Sequence, residues 1–225
     1  EKVHAAAGPS IGDVILGLND GLVAAFAVTS GVAAAFTTSA VIMAGLAEML
    51  GGGVSMGLAA FASGRAQVEF YQSEIRRESE EIKRWPERER DEIRGIYHSK
   101  GFTGALLEQI VSHITSDPAR WSGVMMREEL GFGEEVNQSP LRSGLTVGLC
   151  YVLGALVPLL PYLLARPPLG IIISALATIA VLFAVGALKT AITSRSWWRS
   201  GLESMAIGIA AGAVTYGAGL LFANR

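Results

Sequence analysis

Apolar positions in this chain come in long unbroken blocks rather than at the three-to-four-residue rhythm of a helix resting on a soluble core. Five blocks reach roughly 20 residues or more, enough helix to cross a hydrocarbon layer about 30 Å thick. The first runs from about Ile11 to Phe36, with Ser10 as its cap after Pro9, and a turn at Thr37-Thr38-Ser39 follows. The second starts near Ala40 and stays apolar to about Ser63, then continues without a helix breaker into polar sequence as far as Trp85-Pro86. The others cover about Leu141 to Leu164, Pro168 to Ile192 and Trp198 to Phe222. The pattern predicts an all-α polytopic membrane protein with five transmembrane helices and a cytosolic helical insertion between the second and third. The expected domains are 1–68, 69–139 and 140–225.

The polar insertion predicts its own helices. One, from Arg65 to Arg84, prolongs the second span; others cover about Glu87 to Lys100 and Thr103 to His113, and a last one follows Asp117-Pro118. Basic residues orient the chain, because Lys and Arg collect in cytosolic loops. The turn at 37–39 is uncharged and the one at 165–168 carries only Arg166. The connection to the fifth span carries Lys189, Arg195 and Arg199, and the insertion carries most of the rest. The insertion and the N-terminus are therefore expected in the cytosol, and the C-terminus across the membrane.

Composition narrows the function by exclusion. A net charge of −2 gives no footing for a nucleic-acid partner. The single cysteine, Cys150, rules out an intrachain disulfide or thiolate cluster and reads as inert core in an apolar block. His4, His98 and His113 lack the paired spacing of a zinc site. The first residues lack a basic stretch with a cleavage site, so no signal peptide is expected. No nucleophile elbow, P-loop or nucleotide fingerprint is present. The chain is read as no enzyme, and uphill transport would have to draw on an ion gradient.

Against this background, Asp20 and Glu48 stand out inside the first two spans. An ionised carboxylate at bilayer depth costs about 2.5–3.5 kcal/mol on insertion scales. Asp20 lies roughly 14 Å from the cytosolic end of its helix, and Glu48 reaches a similar depth from the other side. On antiparallel neighbours the two carboxylates can face each other, or face symmetry mates in a dimer. Met56, about 12 Å nearer the cytosol than Glu48, offers a soft thioether. The plainer alternatives are a protonated interhelical hydrogen bond for the carboxylates and simple packing for Met56. Glycines crowd the same spans, and Gly17–Gly21, Gly53–Gly57 and Gly208–Gly212 have the four-residue spacing of close helix packing. The Gly51-Gly52-Gly53 run is also expected to loosen the helix beside Glu48.

The insertion carries a second acidic set. Glu74, Glu78 and Glu81 form one helix stripe, and Glu89 and Glu92 share a face of the next helix. Met125 and Met126 each share a face with Glu129. A solvated surface paired with Arg76, Arg77, Lys83, Arg84, Arg88 and Arg90 is the bland account. Carboxylates alone would suit Mg²⁺ or Ca²⁺, whereas added thioethers suit a softer ion such as Fe²⁺.

Several segments in their order match a known family: Leu16-Gly17-Leu18-Asn19-Asp20-Gly21-Leu22, Ala44-Gly45-Leu46-Ala47-Glu48, Val54-Ser55-Met56-Gly57, Trp121 with Met125-Met126-Arg127-Glu128-Glu129-Leu130-Gly131, and Tyr151 through Tyr162. Over essentially its whole length the chain resembles the vacuolar iron transporter family. The resemblance implies a homodimer in the lipid bilayer that exports cytosolic Fe²⁺ in exchange for protons, with the dimer interface as the path. It implies Asp20, Glu48 and Met56 along that path. Glu78, Glu81, Glu89, Glu92, Met125, Met126 and Glu129 would be the metal ligands of the cytosolic domain, whereas the pattern does not clearly require Glu74 or Glu128. Fe²⁺ enters as substrate, with no tightly bound cofactor. Mn²⁺, Co²⁺ or Zn²⁺ as cargo, and a membrane-anchored metal buffer or sensor, remain the alternative readings. The membrane is vacuolar in a eukaryote and the plasma membrane in a prokaryote.

Overall fold

The computed structural model describes residues 8–129, 131, 139–165, 168–191 and 196–223. His4, Arg166 and Arg195 lie outside the described residues. Among those described, all regular structure is helical: α1 (Gly8–Ala33), α2 (Thr38–Arg84), α3 (Pro86–Ser99), α4 (Gly104–Thr115), α5 (Pro118–Glu128), α6 (Pro140–Leu164), α7 (Leu169–Leu188) and α8 (Trp197–Ala223). A 3-10 turn, Lys189–Ala191, ends α7. Five of the helices, α1, α2, α6, α7 and α8, are long and apolar enough to cross a membrane.

Two local expectations need correction. α1 begins at Gly8, so Ser10 lies within its first turn instead of capping it. The triple glycine does not interrupt α2, which runs unbroken for 47 residues. A glycine costs about 1 kcal/mol against alanine in a helix interior, and here that cost is borne without a break.

The chain divides into two compact units, Glu1–Ala62 with Ser139–Arg225, and Ser63–Gln138. In the first, α1 lies against α6 and α8, and α7 against α6 and α8. Glycines set these approaches. A methyl on Gly57 would lie 2.9 Å from the Gly144 carbonyl oxygen, and one on Gly148 would lie 2.8 Å from that of Gly53. Gly53–Gly57 of α2 therefore crosses Gly144–Gly148 of α6 with the backbones touching. The α6 glycines were not singled out in the sequence, although their spacing is the same. Gly208 and Gly212 instead make room for Leu182 and Phe26.

The second unit closes around Ile82, Ile93, Leu107, Val111, Ile114, Trp121 and Met125. Its helix starts are set locally. Pro86 and Pro118 occupy first-turn positions, where the missing N–H costs nothing, and Asp117 accepts from the Arg120 backbone N–H at 2.7 Å. Gly101, between α3 and α4, and Gly104, which opens α4, take positive φ, a conformation that favours glycine.

Candidate functional site: two acidic centres

The first centre belongs to the apolar unit. Asp20 precedes Gly21, whose bare Cα lets α1 rest on the Tyr151 carbonyl of α6. Gly17 meets the Val147 carbonyl in the same way, and Gly154 of α6 meets that of Leu18. Glu48 lies on α2, and the Tyr151 hydroxyl donates to its Oε1 at 2.5 Å. Tyr151 thus touches α1 through its carbonyl, beside Asp20, and α2 through its hydroxyl, at Glu48. Met56 packs against the apolar cluster of Ala25, Met49, Tyr151, Ala155 and Leu159.

The sequence reading gave Tyr151 no role of its own. A signal existed, because a phenol buried in an apolar span usually finds a hydrogen-bond partner.

The second centre belongs to the polar unit and is built on its apolar core. Ile82, Ile93 and Met125 are core residues, and each lies one helical turn from an acid: Glu78, Glu89 and Glu129 respectively. Core packing thereby turns the end of α2 and α3 so that their carboxylates converge, with Glu129 exposed at the end of α5. Ligand oxygens of Glu78, Glu81 and Glu89 all lie within 4.8 Å of one another. Glu78 and Glu89 are each only 2% exposed, and Glu78 Oε1 and Glu89 Oε2 have no hydrogen-bond partner within the protein. Buried charges are normally paired or hold a cation, so this arrangement fits a divalent metal ligated by oxygen.

Arginines account for other acids of the stripe. Arg77 pairs with Glu74 at 2.7 Å and approaches Glu81 at 4.0 Å; Arg88 pairs with Glu92 at 3.3 Å; Lys100 pairs with Glu128. Ion pairing therefore accounts for Glu74, itself buried, and for Glu128, and fails at Glu78 and Glu89. Burial, then repulsion from Glu89, Glu129, Glu81 and Glu92, pushes the Glu78 carboxyl up to about 7. Glu89 is raised by burial and by Glu92 and Glu81, against the opposing pull of Arg88. Glu129 is raised by partial desolvation and by Glu92, with Arg77 opposing. Glu92 and Glu129 thus belong to the same field without joining the tight trio. Met125 is fully buried within the core, and Met126 is buried as well.

The comparisons with known proteins cover both units. The profile of the VIT family matches residues 11–220. Vacuolar iron transporter 1 of Eucalyptus grandis is 33% identical over 221 residues, spanning 96% of this chain and 88% of its own length. Vacuolar iron transporter 1 of Arabidopsis thaliana is 34% identical over 215 residues, 95% of this chain and 86% of its own. Protein CCC1 of Saccharomyces cerevisiae is 29% identical over 216 residues, 92% of this chain and 67% of its own. Since the match runs through the apolar helices and the polar unit alike, the chain belongs to the VIT family.

Proposed function

We propose that this chain is a divalent-metal/proton antiporter that carries ferrous iron out of the cytosol, into a vacuole or across the plasma membrane, and works as a homodimer. The observation that carries the reading is a Glu48 carboxylate held by Tyr151 within membrane-spanning helices, with Asp20 on the neighbouring helix that rests on the same tyrosine's carbonyl. Two carboxylates held there are costly as bare charges and stable as ligands of a passing cation. The iron transporters among its relatives favour Fe²⁺ as the cargo.

Metal and proton compete for the same oxygens, since a carboxylate must be deprotonated to bind a metal. In this mechanism the glutamates of the polar unit gather metal on the cytosolic side and supply it to Asp20 and Glu48. Protons arriving from the acidic side neutralise Glu48 and release the ion. Glu78, Glu81 and Glu89 form the inner ligands of the cytosolic site, with Glu92, Glu129, Met125 and Met126 around them. Purified protein in liposomes, loaded acidic and supplied with Fe²⁺ under anoxia, tests the mechanism. Uptake should follow the pH gradient and fall to background in Glu48→Gln. Gradient-independent flux, or full uptake by that variant, overturns it.

A further inference from the structure

Glutamate has three rotatable side-chain bonds, so a carboxylate on α2 needs something rigid to fix it. The phenol of Tyr151 is rigid: the residue is 2% exposed and packed among Ala25, Met49, Ala155 and Leu159. Its backbone is pinned as well, because Gly21 lets α1 rest on its carbonyl. The ring needs a seat on α2, and Gly52 provides it. A methyl on Gly52 would lie 2.5 Å from ring Cε1 and would also strike the hydroxyl that reaches Glu48. The neighbouring glycines do other things. A methyl on Gly51 meets no atom among the described residues, and one on Gly53 meets Val152 Cγ2 at 2.7 Å.

Resting on the transport reading above, we propose that Tyr151 is a positioning residue for the transport step, holding the Glu48 carboxylate in register through a slot that Gly52 keeps open. The phenol O–H donates to Oε1 and leaves Oε2 for the cargo. A protonated carboxyl still accepts from the phenol through its carbonyl oxygen. Glu48 is therefore held in the same place whether it carries a metal or a proton. Gly52 is the member of the triple-glycine run that this geometry requires.

Two measurements on the full-length protein test the assignment. The first is infrared spectroscopy of reconstituted protein, with the Glu48 carboxyl band identified by its loss in Glu48→Gln. Tyr151→Phe and Gly52→Ala should shift that band, and Gly51→Ala should not. The second is Fe²⁺ flux: Tyr151→Phe, which keeps the ring, should lower Vmax/KM by about tenfold, the scale of a lost hydrogen bond to a charged group. Glu48→Asp draws the carboxylate back by one methylene, and in that background Tyr151→Phe should change flux no further. An unmoved band in Tyr151→Phe, or equal losses in both backgrounds, overturns the role of Tyr151 and leaves the transport reading standing. Absence of any flux in the parent overturns both.

Discussion

Glu74 and Glu78 sit one turn apart on the same helix face, yet their circumstances differ. Both are buried, but Arg77 pairs with Glu74 while Glu78 is left with an oxygen unpartnered. Spacing along the sequence put both on one stripe, because helical periodicity is a local property. Which of them an arginine neutralises depends on how α3 and α5 close over the stripe, and that is tertiary. The consequence is measurable. In the folded protein the Glu78 carboxyl holds its proton up to about 7, whereas in the unfolded chain it loses it near 4.5. Between those values the folded state binds more protons, so stability of the metal-free protein should fall as pH rises through that window. Metal affinity should rise over the same window, since the ligand must be deprotonated. Thermal melts at pH 5 and 7.5, with and without Mn²⁺ as a redox-stable probe, check both signs. Glu78→Gln should flatten the metal-free profile and weaken metal binding by at least about tenfold, read by equilibrium dialysis.

Among the elements, the five spans were legible to within a few residues, because length and apolar content alone specify them. The helix partners were not. Gly17, Gly21, Gly53 and Gly57 announced close packing, but the surface that receives all four is α6, whose own glycines went unremarked. A small residue shows that a backbone comes near without showing which one. The α2–α6 crossing leaves no room for a side chain either. A side chain on Gly144 would begin 2.7 Å from the Gly57 carbonyl oxygen and 2.9 Å from Phe61 Cβ. Backbone cannot swing aside as a side chain can, so Gly144→Val should cost about 1–3 kcal/mol, read as a lower melting temperature in detergent. Gly217→Ala, whose methyl meets no atom among the described residues, should melt like the parent.

At the scale of the whole molecule, two cores of different chemistry share one chain. One unit depends on an apolar solvent around α1, α6, α7 and α8; the other holds a water-compatible core edged by the ion pairs of α2, α3 and α5. Calorimetry should resolve two transitions, of which saturating metal raises the one belonging to Ser63–Gln138 by mass action. A single merged transition unmoved by metal contradicts this. Sidedness is checked in a Cys150→Ser background: cysteines at Glu80 and Arg199 should react with an impermeant maleimide from the cytosolic face, and one at Thr37 from the opposite face. The placement of Met125 has a further consequence. Ferrous iron generates strong oxidants from peroxide, and Met125 lies one turn from Glu129 within the packed core. Its conversion to the sulfoxide would set a polar group among Ile82, Ile93 and Trp121 and loosen the packing that aims the glutamates. If this unit holds iron as proposed, its cargo can damage it, and the burial of that thioether is the shield.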